Sequence, residues 1–146
     1  MPNETRQHLH LYCRTANRHL PRDMSSVTTV PPGAARSSMA ADVQASQFEM
    51  SFEQAFQRLE LLPRMFIELD GSFVWSGEQN GRAWQIDGML YDYNGRLQRV
   101  EMSGYAPRHQ WEQLLSVFGQ PLDTLTIHCL QQQRFIDTAE FLEREL

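Results

Sequence analysis

Three turn dipeptides, Asp70-Gly71, Asn80-Gly81 and Asn94-Gly95, divide the middle of the sequence into four short segments. Each segment is rich in β-branched and aromatic residues, which is typical of β-strands. Asn-Gly and Asp-Gly are preferred in tight hairpin turns because their backbones accept positive φ. The sequence therefore predicts a four-stranded antiparallel meander over residues 64–104.

The third segment, about Arg82–Tyr93, carries apolar side chains on both of its alternating faces, which predicts a central strand. One face holds Trp84, Ile86 and Leu90, and the other holds Met89, Tyr91 and Tyr93. The fourth segment places Val100 and Met102 on one side and Arg99, Glu101 and Ser103 on the other.

Helices are predicted before and after the meander. Ser51 and Gln54 form a capping box, and Pro63 ends the helix that follows. A second helix follows Pro107, and a third is capped by Asp137. A fifth strand, "LTIHCLQ", lies between them. We therefore expect an α+β domain over residues 47–146, in the order α-β-β-β-β-α-β-α, with helices mainly on one face of a sheet of about five strands.

Residues 1–46 differ from the rest in composition. Much of this segment is rich in Ser, Thr, Ala and Pro without a sustained period, so we expect a disordered tail. Met24, Met39 and Met50 offer alternative translation starts. The tail has no apolar region of the secretory kind, and no apolar run has the length of a transmembrane helix, so we expect a cytoplasmic protein without a membrane partner.

Charge restricts the classes of partner. Residues 1–40 carry five Arg and two acidic residues, whereas residues 41–146 carry eight Arg and sixteen acidic residues. An acidic domain disfavours a nucleic-acid ligand, because phosphate attraction supplies most non-specific affinity. The sequence contains no Lys. It also contains no nucleophile elbow, P-loop, dinucleotide fingerprint or zinc-protease motif.

The stretches "DGSFVW", "WQIDGMLYDYNGRL" and "FIDTAEF" together resemble an uncharacterised family of small planctomycete proteins. The resemblance covers about Phe66–Leu146. It implies no activity, cofactor or site residue, because no activity is established for that family.

One enzymatic hypothesis is a metal-dependent nuclease core of the PD-(D/E)xK kind. Its pattern needs an acid on one strand of a hairpin and an acid and a Lys, two residues apart, on the next strand. Asp87, Glu101 and Ser103 occupy these positions here, with Glu60 as a further carboxylate. Two carboxylates with a substrate phosphate would suit Mg²⁺. This hypothesis is weakened because Ser103 cannot replace a Lys that orients or activates the attacking water. The simpler interpretation is that Asp87-Gly88 is a local bulge or turn and that Glu101 pairs with Arg99 or Arg82 across an exposed face.

A second hypothesis concerns the aromatic residues. An antiparallel sheet buries one face and often leaves the other open. We expect Tyr91, Tyr93 and Tyr105 to be candidates for a binding surface on that face. An adaptor that binds extended segments, like a secretion chaperone, is a related alternative. We expect a non-enzymatic protein-interaction or binding module without a metal or cofactor, acting on an unidentified protein partner. The sequence leaves open whether the protein forms a homodimer.

Overall fold

The computed structural model describes residues 6–14, 47–144 and 146. These residues form an α+β fold with one seven-stranded antiparallel sheet and three α-helices. No helix in this described part has the length and apolar character needed to span a membrane.

The strands are β1 (Gln7–Cys13), β2 (Met65–Ile67), β3 (Ser72–Gln79), β4 (Arg82–Tyr93), β5 (Arg96–Tyr105), β6 (Leu125–Cys129) and β7 (Arg134–Asp137). The helices are α1 (Phe52–Glu60), α2 (Arg108–Phe118) and α3 (Thr138–Arg144), and a 3₁₀ turn covers Leu122–Thr124.

The sheet order is β2-β3-β4-β5-β1-β6-β7. The predicted meander is therefore confirmed as β2–β5, and its two Asn-Gly turns have the expected backbone. Asn80 and Gly81 have φ of 54° and 78°, and Asn94 and Gly95 have φ of 53° and 81°. Positive φ at both positions is the requirement of the tight hairpin turn that Asn-Gly favours.

The N-terminal segment corrects the prediction of a wholly disordered tail. Gln7–Cys13 is a strand in the interior of the sheet, where Leu9 pairs with Met102 of β5 and with Cys129 of β6. Leu9 and Leu11 are almost completely buried. The tail's remaining residues, 1–5 and 15–46, lie outside the described part of the chain. The sheet also exceeds the expected five strands, because β1 and β7 join it.

All three helices contribute to one hydrophobic core against the same face of the sheet. Ala55 and Leu59 come from α1, Trp111 comes from α2 and Phe141 comes from α3. The capping box at the start of α1 is confirmed, because Ser51 Oγ accepts from the Gln54 amide at 3.1 Å. The Asp137 cap is confirmed as well, because its carboxylate accepts from the Glu140 amide at 2.7 Å. The opposite face is called the outer face below.

The expected bulge or turn at Asp87-Gly88 is wrong, because both residues lie within the continuous strand β4. Gly88 lies in regular register between Phe73 and Met102, and the irregularity lies further along β4, between Tyr91 and Asp92. Packing, and not a bulge, explains the glycine at position 88. A Cβ at this position would lie 2.0 Å from the Phe73 ring, so the missing side chain provides the space that the ring occupies.

Candidate functional site

The outer face is built from the alternate residues of the strands that do not face the helices. Residues opposite one another in adjacent strands share a face, so the register places one residue from each of five strands in a single row on the outer face. The row consists of Met89 on β4, Glu101 on β5, His10 on β1, His128 on β6 and Phe135 on β7. No helix among residues 6–14 and 47–144 packs on this row. It is the part of the described surface where chemically versatile side chains are concentrated.

Glu101 is the second residue of the row, and its carboxylate has three neighbours: His10, Arg99 and the Tyr91 hydroxyl. His10 Nε2 lies 3.0 Å from its carboxylate, and Arg99 Nε lies 3.4 Å from the same oxygen. The Arg99 guanidinium also lies 4.1 Å from the centre of the Tyr91 ring, which is a cation–π geometry. The expectation that Glu101 pairs with a nearby Arg is therefore confirmed for Arg99.

The other half of the row is aromatic. The His128 ring stacks on Phe135 with 4.6 Å between centroids and 15° between planes. Tyr12 also contacts Phe135, at a centroid distance of 6.2 Å, and only 3% of Tyr12 is exposed. The His10 and His128 ring centroids lie 6.1 Å apart with 76° between the ring planes, so His10 joins the charged half to the aromatic half. We call Glu101, His10, Arg99, Tyr91, His128, Phe135 and Tyr12 the outer cluster.

Burial controls the protonation of the two histidines. It lowers the pKa of His10 from its usual value, with Arg99 and His128 acting in the same direction and Glu101 opposing them. Burial also lowers the pKa of His128. A neutral imidazole satisfies the close contact with Glu101 by donating its Nε2–H to the carboxylate. The hydrogen bond to Glu101 raises the pKa of Tyr91, so this phenol stays protonated as a donor.

A second polar group lies beside the outer cluster. The Arg6 guanidinium donates to Asp87 at 3.1 Å and to Ser103 Oγ at 3.2 Å. The Asp87 carboxylate also accepts a hydrogen bond from the side-chain amide of Gln85 at 2.9 Å. A shallow depression of about 310 Å³ lies between this group and the outer cluster, with His8, His10 and Leu130 on its rim.

The proposed nuclease residues are brought together only in part. Asp87 pairs with Ser103 and Met89 pairs with Glu101, so both acids and Ser103 lie on the outer face, with the acids on a diagonal. Each acid has its own cationic or imidazole partner. Glu60 is exposed on α1, which packs on the opposite side of the sheet, so it does not join them. Residues 6–14 and 47–144 contain no group of three or more His, Cys, Asp or Glu side chains that could hold a metal ion.

The three candidate tyrosines are divided between two places. Tyr91 and Tyr93 lie at the end of β4, opposite Arg99 and Arg96, whereas Tyr105 pairs with Gln85 near the start of β4. Tyr105 lies six positions after Arg99 on β5, a distance of about 20 Å at the rise of a strand. Tyr93 and Tyr105 are 61% and 45% exposed, so both hydroxyl-bearing rings are accessible to a partner.

Sequence reasoning missed the residues that β1 and the residue before it contribute to this face: His8, His10 and Tyr12 from the strand, and Arg6. A signal was present in "RQHLHLYC", where Leu9, Leu11 and Cys13 alternate with polar or aromatic residues. Alternation over seven residues indicates a half-buried strand. The composition of the longer segment around it concealed this pattern.

Comparisons with known proteins leave the function to be argued from the geometry alone. No protein-family model, curated protein sequence or solved structure matches this chain. The resemblance to the planctomycete family therefore stays a prediction.

Proposed function

We propose that the protein is a non-enzymatic interaction module that binds a protein partner on the outer face of its sheet. The observation that carries the proposal is the outer cluster itself. Seven charged and aromatic residues are concentrated on a sheet face that no described helix covers, and Arg99 and the tyrosines are residue types enriched at energetic centres of protein interfaces.

The arrangement of the cluster supports binding more than catalysis. Arg99 is held between the Glu101 carboxylate and the Tyr91 ring, so its conformation is ordered before a partner arrives. Tyr12 packs against the His10 ring in an edge-to-face arrangement, and Phe135 stacks on His128. A preordered surface loses less side-chain entropy on association and therefore binds more tightly for the same contacts.

The experiment is a comparative capture with the full chain as bait, in extract from the source organism. Baits are the wild type, the Tyr91→Ser/Tyr93→Ser double variant, and Gln57→Ser as a control on the exposed side of α1. We expect one or more proteins to be retained by the wild type and Gln57→Ser and to be reduced at least about fivefold by the double variant, because loss of an interface anchor costs more than about 1 kcal/mol. Thermal unfolding of each bait checks that it is folded. Equal retention by all three baits would contradict the proposal.

The second candidate is an active or degenerate PD-(D/E)xK-like nuclease core, favoured by the position of Asp87, Glu101 and Ser103 on one face. Arg6 also supplies a cation beside Asp87 and Ser103, where the sequence pattern lacks a Lys. A divalent ion would have to compete with Arg6 and His10 for the two carboxylates. Calorimetric titration with Mg²⁺ and Mn²⁺ separates the two functions. Saturable binding that Asp87→Asn abolishes, together with cleavage of DNA, would favour the nuclease.

A further inference from the structure

We draw no further inference here: the strongest candidate, the cavity of about 540 Å³ between α1 and the end of α2, has opposite charges on its rim at Arg58 and Glu49, and nothing in the structure shows what would occupy it.

Discussion

Replacement of Leu11 by Ala measures whether the N-terminal strand belongs to the folded domain. Leu11 is 0% exposed and lies between Val100 of β5 and Ile127 of β6, so its side chain is in the core at the centre of the sheet. Loss of a buried Leu side chain to Ala costs about 2–5 kcal/mol, from lost transfer free energy and from the cavity that remains. Against a total of roughly 5–15 kcal/mol for a domain, this is a large share of the free energy of unfolding.

The assay is urea unfolding followed by tryptophan fluorescence, since Trp75, Trp84 and Trp111 are all at most 4% exposed and report on the core. We expect Leu11→Ala to lower the midpoint without changing the slope, because the surface exposed on unfolding is nearly unchanged. In a thermal scan, a loss of about 3 kcal/mol corresponds to about 12–24 °C at this domain size.

The control is His8→Ala, three residues earlier on the same strand, where the side chain is exposed on the outer face. Substitutions at such positions usually change the free energy of unfolding by less than about 0.5 kcal/mol. If Leu11→Ala and His8→Ala have indistinguishable midpoints, β1 does not pack in the core, and His10 and Tyr12 are then not held in the outer cluster.

Three further predictions concern packing, turns and pH. Gly88→Ala should lower the free energy of unfolding by about 1–3 kcal/mol by overpacking Phe73, and Phe73→Leu in the same chain should recover part of that loss in urea unfolding. Asn94→Ala should lower the thermal midpoint, since φ of 53° costs an Ala residue about 1 kcal/mol, whereas Asn94→Gly should leave it nearly unchanged. The lowered pKa values of His10 and His128 mean that the unfolded chain binds protons first as pH falls below about 6.5, so the free energy of unfolding should decrease below that pH. Unfolding measured at several pH values should show a smaller decrease for the His10→Gln/His128→Gln double variant than for the wild type. An equal decrease in both proteins would refute burial of these rings.

The meander could be predicted because its information is local. The Asn80-Gly81 and Asn94-Gly95 turns encode their own backbone conformation, and the alternation between them determines which residues face the core. Adjacent strands connected by tight turns need no information from distant parts of the sequence.

The outer cluster could be predicted only in part, because half of it comes from β1. Glu101 and Arg99 were recognisable as neighbours on one strand, but His10 reaches them across a separation of about ninety residues. Strand β7 escaped prediction for a different reason. Its four residues precede α3 directly, so Ile136 and Asp137 carried the signals of a helix start rather than those of a strand.

The interior position of β1 has a consequence for the order in which the domain forms. Strands β5 and β6 do not pair with each other, so β1 joins the meander to the β6–β7 hairpin. During synthesis, β1 leaves the ribosome first, yet its last partner ends at Cys129. The meander can assemble from sequence neighbours while the chain is still growing, whereas insertion of β1 must wait until nearly all of the chain is available and must close a long loop. We therefore expect the rate-limiting event of folding to be the closing of the sheet around its N-terminal strand.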